Sequence, residues 1–335
     1  MADQPVFVLS RTDSIGDVVL TLPMAGFIKK HMPAAKVFFL GRTYTKDVIE
    51  LSSFVDGFIN YDELETLKPE DQKKTLVETG VNILVHVLPQ LKIARLAKGA
   101  GIQLRVGTTN RAYHWLNCNK LVKLSRKNSE CHESQLNIKL LGFLNLNTDV
   151  TLPQVKNFYG FEKIPKLNPE FSELIDESRI NIIFHPRSKG SAKEWGLENF
   201  ARLADALPEN RYKIFVSGTQ LDAASMKSLL THPKVNNITG RMPLSQFIAF
   251  ISRCHALVAA STGPLHIAAA LGKTAIGLFS PKRPIHPGRW APVGEKAHAL
   301  VFDPNCANCS AGKDCDCITK ISPQQIVDLL QDESV

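Results

Sequence analysis

The feature that most constrains this chain is a repeated order of short apolar runs and helical patterns. Residues 5–10 (PVFVLS) are rich in strand formers, and a polar loop, residues 11–17 (RTDSIGD), follows them. Residues 18–31 then carry apolar side chains at helical spacing, with Pro23 predicting a distortion. Residues 36–40 (KVFFL) form the next strand-like run. Both runs are apolar almost throughout, as strands are when helices cover both faces of a parallel sheet. The unit is βαβ, and strand-like runs at residues 81–88 and 104–107 extend it.

The pattern weakens over residues 157–169, where Pro165 and Pro169 mark a linker. A second series of strand-like runs follows at residues 180–184, 212–216, 256–260, 274–279 and 297–302, with helical patterns at 197–207 and 244–252. A length of 335 residues suits about two domains at roughly 150 residues each. The expected division is residues 1–165, residues 166–320, and a C-terminal helix over 321–335 opened by Ser322, Pro323 and Gln325 as a capping box. Two open α/β halves predict a ligand cleft outside the carboxyl ends of their strands.

Hydrophobic residues at 44% and charged residues at 21% exclude a disordered chain and a coiled coil. The absence of a 20–50-residue repeat disfavours a solenoid or propeller. The net charge of +8 favours an anionic partner: a phosphate ligand, a lipid surface or nucleic acid. Residues 1–5 lack a basic, then apolar, leader pattern, so no secretory signal is expected. The uncharged run at 254–272 is interrupted by Ser261, Thr262, Gly263 and Pro264, so it reads as strand, turn and helix rather than a membrane span. Seven cysteines are then expected as reduced thiols in a cytoplasm.

Four loops after predicted strands could carry chemistry. In the first, Asp17 enters a helix beside Gly16; it and Asp13 either cap that helix, or Asp17 serves as a general base. In the second, Ser261-Thr262-Gly263-Pro264-Leu265-His266 joins a buried strand to a small-residue helix. Its amides suit a diphosphate, although a tight turn with a packed histidine has the same pattern. In the third, residues 185–195 bring Arg187, Ser188, Lys189, Ser191 and Lys193 to one strand end, as phosphate oxygens or a solvated basic loop would require. In the fourth, Asp222 follows Ser217-Gly218-Thr219; it either accepts from ribose hydroxyls or begins a helix.

From Lys92 to Lys127 there are nine Lys or Arg and no Asp or Glu, with Arg105, Arg111, Lys120, Lys123, Arg126 and Lys127 around Tyr113, His114 and Trp115. Such a stretch fits nucleic acid, an acidic glycan, an anionic lipid surface or plain solvent. Cys306, Cys309, Cys315 and Cys317 form a C-x2-C-x5-C-x-C cluster that either holds a structural zinc or stays as free thiols. Asp314 and Asp316 form a D-x-D pattern inside that cluster, a position that argues against a separate metal motif. Cys118, Cys131 and Cys254 read as scattered thiols.

Together, residues 11–23 (RTDSIGDVVLTLP), the loop 185–195 and residues 261–272 (STGPLHIAAALG) resemble the ADP-heptose:lipopolysaccharide heptosyltransferases, glycosyltransferase family 9. The resemblance covers essentially the whole chain. It implies a GT-B fold, two Rossmann-like doubly wound domains facing across a cleft, with acceptor on the N-terminal side and nucleotide-sugar on the C-terminal side. It implies inverting transfer of a heptose from ADP-heptose to Kdo-lipid A or heptosyl-Kdo-lipid A, with no cofactor required. Asp17 matches the family's catalytic base. Lys193, with Ser188, matches the donor-phosphate region, and Ser261 to His266 match the diphosphate loop. Asp222 falls near a ribose contact and Met242 near the base. Ser14, Gly16, Arg105, Arg111 and Lys120 are the expected acceptor contacts. Some members carry an acid where this chain has Ser261, so any sugar contact of that acid is not expected here.

The implied setting is the cytoplasmic face of the inner membrane, with peripheral lipid contact, no nucleic acid and no obligate protein partner. The alternatives are a family-9 transferase with another nucleotide-sugar, and a non-enzymatic protein that binds anionic lipid or nucleic acid.

Overall fold

The computed structural model describes residues 4–127 and 129–332. The chain divides into two compact units, Met1–Lys163 and Ile164–Val335. The first holds six strands: β1 (Val6–Ser10), β2 (Lys36–Gly41), β3 (Gly57–Asn60), β4 (Ile83–His86), β5 (Leu104–Thr108) and β6 (Lys120–Val122). All pair in parallel, in the order β3-β2-β1-β4-β5-β6. The second holds β7 (Ile180–His185), β8 (Tyr212–Val216), β9 (Val235–Asn237), β10 (Ala256–Ala260), β11 (Thr274–Leu278) and β12 (Ala297–Leu300). These too are parallel, in the order β12-β11-β10-β7-β8-β9.

Each sheet starts at its centre, winds to one edge, then returns and winds to the other. The order reverses between β1 and β4 and again between β7 and β10. Loops diverge at such a switch point and leave a crevice at the carboxyl ends of the strands. The continuous apolar runs follow from this plan. Phe7, Val8 and Leu9 are fully buried, and β10 is buried along its whole length.

Proline splits the first predicted helix rather than bending it. The helices are Ile15–Val19 and Pro23–His31, and Pro23 takes a first-turn position where no N–H is needed. In the second unit, helix Leu197–Ala206 lays Phe200 and Leu203 on the sheet beside Trp195. The C-terminal helix Pro323–Asp332 buries Ile326, Val327 and Leu330 in that same core, so it packs as part of the second unit.

Candidate functional site

In the first unit the chain leaves β1 at Ser10 and immediately buries an arginine. Arg11 is only 4% exposed. Its guanidinium donates to Asp13 at 2.7 and 3.0 Å, to Glu133 at 2.9 Å and to the Asp17 carboxylate. Glu133 opens helix Glu133–Lys139, is fully buried, and accepts from Arg126 at 2.9 Å as well. One turn later Asn137 accepts from Arg126 at 2.8 Å and donates to the Leu20 carbonyl at 3.0 Å. Residues more than a hundred positions apart thus converge on the loop after β1.

Asp17 is the third residue of helix Ile15–Val19, and the N-cap is Ser14. The expectation that Asp13 or Asp17 caps this helix is therefore corrected. The Asp17 N–H reaches Ser14 Oγ at 3.5 Å, while the Ser14 hydroxyl donates to the Asp17 carboxylate at 2.6 Å. Burial pushes the Asp17 carboxyl above the ordinary aspartate range, against the pull of Arg11. Burial alone would lower Arg11, but the carboxylates of Asp17, Asp13 and Glu133 outweigh it and hold the guanidinium charged. A carboxylate with a raised pKa and an ordered hydroxyl neighbour is suited to accept a proton. Gly16 is buried beside it.

The basic stretch is not one face. Arg111 follows β5 and Arg126 follows β6, at the same sheet edge as Asp17. Arg105 is the second residue of β5 and Lys120 the first of β6, so both stand at the amino-terminal end of their strands. At roughly 3.3 Å per residue, strand polarity carries Arg105 about 10 Å from the carboxyl edge. Its guanidinium is spent on the Asn117 carbonyl at 2.8 Å and the Ile102 carbonyl. The structure therefore does not gather Arg105 and Lys120 with Ser14, Gly16 and Arg111. Helix Ala112–Asn117 instead exposes Trp115 at 63% and Leu116 at 73% next to Arg111.

In the second unit four loops meet at the carboxyl edge of β10, β7, β8 and β9. His185 ends β7, its Nδ1 is 2.9 Å from Ser217 Oγ, and burial lowers its pKa to about 4, so the ring is neutral near pH 7. Beyond it, Ser188 Oγ donates to the Ala192 carbonyl at 2.7 Å and the Ser188 N–H donates to Glu194 at 2.8 Å. Arg187 is held by Glu194 at 2.7 Å and the Ser225 carbonyl at 2.6 Å. Lys193 donates to the Asp314 carboxylate and to the Cys315 carbonyl, the latter at 3.1 Å.

Two of the three cations in this loop are thus engaged. Lys189 makes no ion pair among the described residues and is exposed on a turn with φ of 51°, followed by Gly190 at 81°. Sequence reasoning passed over Lys189 as a separate candidate, although a Lys-Gly pair after a strand is a turn signal. Asp222 accepts from the Thr219 N–H at 2.7 Å and the Thr219 hydroxyl at 2.6 Å. It is the third residue of the helix Gln220–Ala223 and closes a capping box with the N-cap Thr219. Burial would raise its carboxyl, but the Thr219 hydrogen bonds and the nearby Lys189 outweigh that and hold it low. Met242 is half-buried on the loop after β9, which is tied to the β8 loop where the Gly240 N–H meets the Gly218 carbonyl at 2.9 Å.

Ser261 leaves the buried β10 half-exposed, and Thr262 is the N-cap of helix Gly263–Ala270. Thr262 makes no side-chain cap bond, and its buried Oγ1 has no hydrogen-bond partner. Pro264 carries no N–H, so Gly263 and Leu265 supply the open amides of the first turn. Leu265 and His266 pack inward. Amides, a helix dipole and an unpaired buried hydroxyl facing one strand end suit an anion. Cys306, Cys309, Cys315 and Cys317 are also brought together, with their sulfurs within 4.8 Å of one another.

Residues 72–317 match the sequence model of glycosyltransferase family 9 (heptosyltransferase). The lipopolysaccharide core heptosyltransferase OpsX of Haemophilus influenzae is 24% identical over 315 residues, which cover 88% of this chain and 84% of that protein. The solved structure of a family 9 glycosyl transferase from Veillonella parvula covers 99% of this chain and 98% of its own, at a TM-score of 0.81 and 19% identity. That of the E. coli ADP-heptose lps heptosyltransferase II covers 99% and 100%, at a TM-score of 0.76 and 19% identity. These likenesses establish the GT-B fold class for the two doubly wound units. The chain belongs to glycosyltransferase family 9, the heptosyltransferases, and is a glycosyltransferase.

Proposed function

We propose that this enzyme moves a heptose from ADP-heptose to the inner core of lipopolysaccharide, with inversion at the anomeric carbon and no metal in the transfer step. Kdo-lipid A or heptosyl-Kdo-lipid A is the acceptor. The observation that carries this reading is Asp17: a half-buried carboxylate with a raised pKa, fixed by Arg11 and Ser14 at the carboxyl edge of a central strand. Asp17 takes the proton of the acceptor hydroxyl as that oxygen bonds to the anomeric carbon. The bond from that carbon to the diphosphate breaks, and ADP leaves with the electron pair.

Negative charge then grows on the diphosphate. The amides of Gly263 and Leu265, the Thr262 hydroxyl, Lys189 and Lys193 are the groups of this chain that stabilise it in place of a metal ion. Lys193 exchanges Asp314 for phosphate when donor binds. Asp222 and Met242 serve the nucleoside, and Ser188 and Glu194 hold the loop in shape. Ser14, Gly16 and Arg111 serve the acceptor. The exposed Trp115 and Leu116 beside Arg111 support peripheral contact with an anionic bilayer at the cytoplasmic face of the inner membrane. No helix among the described residues is long and apolar enough to cross a membrane.

The test is a donor panel with purified chain, Kdo-lipid A or its heptosylated form, and EDTA in one arm. ADP release and a heptose mass gain on the acceptor, undiminished by EDTA, are expected. Transfer from a UDP- or GDP-sugar in preference to ADP-heptose would overturn the heptose assignment. Loss of transfer in EDTA, restored by magnesium, would overturn the metal-free step.

A further inference from the structure

We propose that Cys306, Cys309, Cys315 and Cys317 hold one structural zinc ion, and that this centre fixes the segment on which Lys193 rests. The four sulfurs lie within 4.8 Å of one another. Four sulfurs around a tetrahedral zinc at about 2.3 Å stand roughly 3.8 Å apart. Cys306 and Cys315 are 3.5 Å apart, Cys315 and Cys317 are 3.0 Å apart, and none is in a disulfide. Two disulfides would draw sulfurs together in separate pairs. A single mutual cluster is what one shared centre requires.

Local structure supports the same reading. Cys306 is the N-cap of the short helix Ala307–Ser310, whose turn brings Cys309 back over it. The Cys309 N–H donates to the Cys306 sulfur, and the Ser280 hydroxyl lies 3.5 Å from the Cys309 sulfur. Hydrogen bonds of this kind orient thiolate ligands. The two neighbouring carboxylates are engaged by lysines and lie outside the mutual cluster of sulfurs. Asp314 pairs with Lys193, and Asp316 pairs with Lys320 at 3.2 Å. The donor set is therefore all sulfur, which selects zinc over magnesium or calcium.

The surrounding chain explains why an ion is useful here. Between β12 and the C-terminal helix the only regular structure is two short turns, Ala307–Ser310 and Cys317–Lys320. The cysteines form a small core of their own, apart from the main one. Yet this segment grips the donor-side loop at two places and the helix that follows it at a third. Asp314 and the Cys315 carbonyl hold Lys193, the Thr319 carbonyl accepts from Asn199 at 2.8 Å, and the Ile321 carbonyl accepts from Trp195 at 2.9 Å. A centre that locks residues 306–317 supplies the rigidity that a few buried side chains do not. Only the role of Lys193 rests on the proposed transfer; the ion itself does not.

The test begins with metal content, which is read without turnover. Full-length chain is purified under reducing, anaerobic conditions, and zinc and iron are measured by inductively coupled plasma mass spectrometry. One equivalent of zinc is expected, falling to background in Cys309→Ser and Cys315→Ser and unchanged in Cys118→Ser. Cobalt exchanged into wild-type chain should give the intense visible bands of tetrahedral cobalt thiolate. If the serine variants do not fold, a mercurial titration of wild-type chain should release one equivalent of zinc to a colorimetric chelator. Wild-type chain without zinc, with all seven cysteines reacting as free thiols, would overturn the proposal. One equivalent of iron in place of zinc would overturn the ion assigned.

Discussion

The loop that carries Asp17 follows β1 and the turn that carries Thr262 follows β10, each a strand that flanks the switch point of a six-stranded parallel sheet. They are built from opposite materials. The first is made of side-chain charge: one buried arginine shared by Asp13, Asp17 and Glu133. The second is made of backbone: two open amides, a helix dipole and one buried hydroxyl, with no charged side chain from Ser261 to Leu265. Holding an anion of fixed charge needs only fixed dipoles, which do not titrate. Moving a proton needs a titratable group, and tuning that group requires burial and a counter-charge. Side-chain substitutions should therefore be severe in the first loop and mild in the second.

The largest effect belongs to Asp17→Asn. Removing a general base lowers kcat by roughly 10²–10⁴-fold, while ADP affinity, measured by calorimetry, should stay unchanged. Near-normal turnover would place the base elsewhere and dissolve the contrast between the loops. Next is Arg11→Met. It leaves the fully buried Glu133 and the half-buried Asp13 and Asp17 without their shared partner; breaking a fully buried pair costs about 3–5 kcal/mol. Glu133 keeps Arg126, so the lower end of that range is expected in urea unfolding. A loss under about 1 kcal/mol, the range of exposed ion pairs, would mean that the Arg11 network is solvated.

The difference between the loops also explains what was legible in the sequence. The second loop is local. Strand, Ser-Thr-Gly-Pro and helix lie within fifteen residues (256–270), and each residue's role follows from its neighbours. The first is long-range. Arg11 meets Glu133 across 122 positions, and nothing near residue 133 announces that its carboxylate is buried. Interior strands were legible because burial on both faces makes them continuously apolar. The edge strands β3, β6 and β9 (GFIN, KLV, VNN) are short and partly exposed, so they carry no such signal. Arg105 and Lys120 lie in the basic stretch and are expected as acceptor contacts, although a residue near the start of a strand belongs to the amino-terminal edge. For Arg105 that polarity could have been read from the run at 104–107; for Lys120 it could not, because β6 carries no strand signal.

Thr262→Val sharpens the comparison from the other side. The swap keeps the shape but removes a buried hydroxyl that has no partner in the protein. Without ligand, stability should hold or rise slightly, because no hydrogen bond is lost. Donor affinity should fall by about 0.5–1.5 kcal/mol, the net worth of one hydrogen bond, up to roughly tenfold in the dissociation constant. A variant destabilised without ligand, with donor affinity intact, would show that Thr262 serves packing rather than the anion.

The smallest effect is a pH dependence of stability, and it tests why Asp17 is fit to be a base. Burial raises its pKa in the folded protein, so folding favours the protonated carboxyl. Stability from this group is full below its unfolded pKa, about 3.9, and is lost as pH rises through the folded value. Asparagine mimics the neutral form at every pH. Asp17→Asn should therefore melt above wild type at neutral pH, and the gap should close as the pH falls below about 4. A gap of the opposite sign would mean that the attraction of Arg11 exceeds the penalty of burial. Asp17 would then be a stabilising ion-pair partner with a depressed pKa, and the first loop would be as structural as its bonding pattern is extensive.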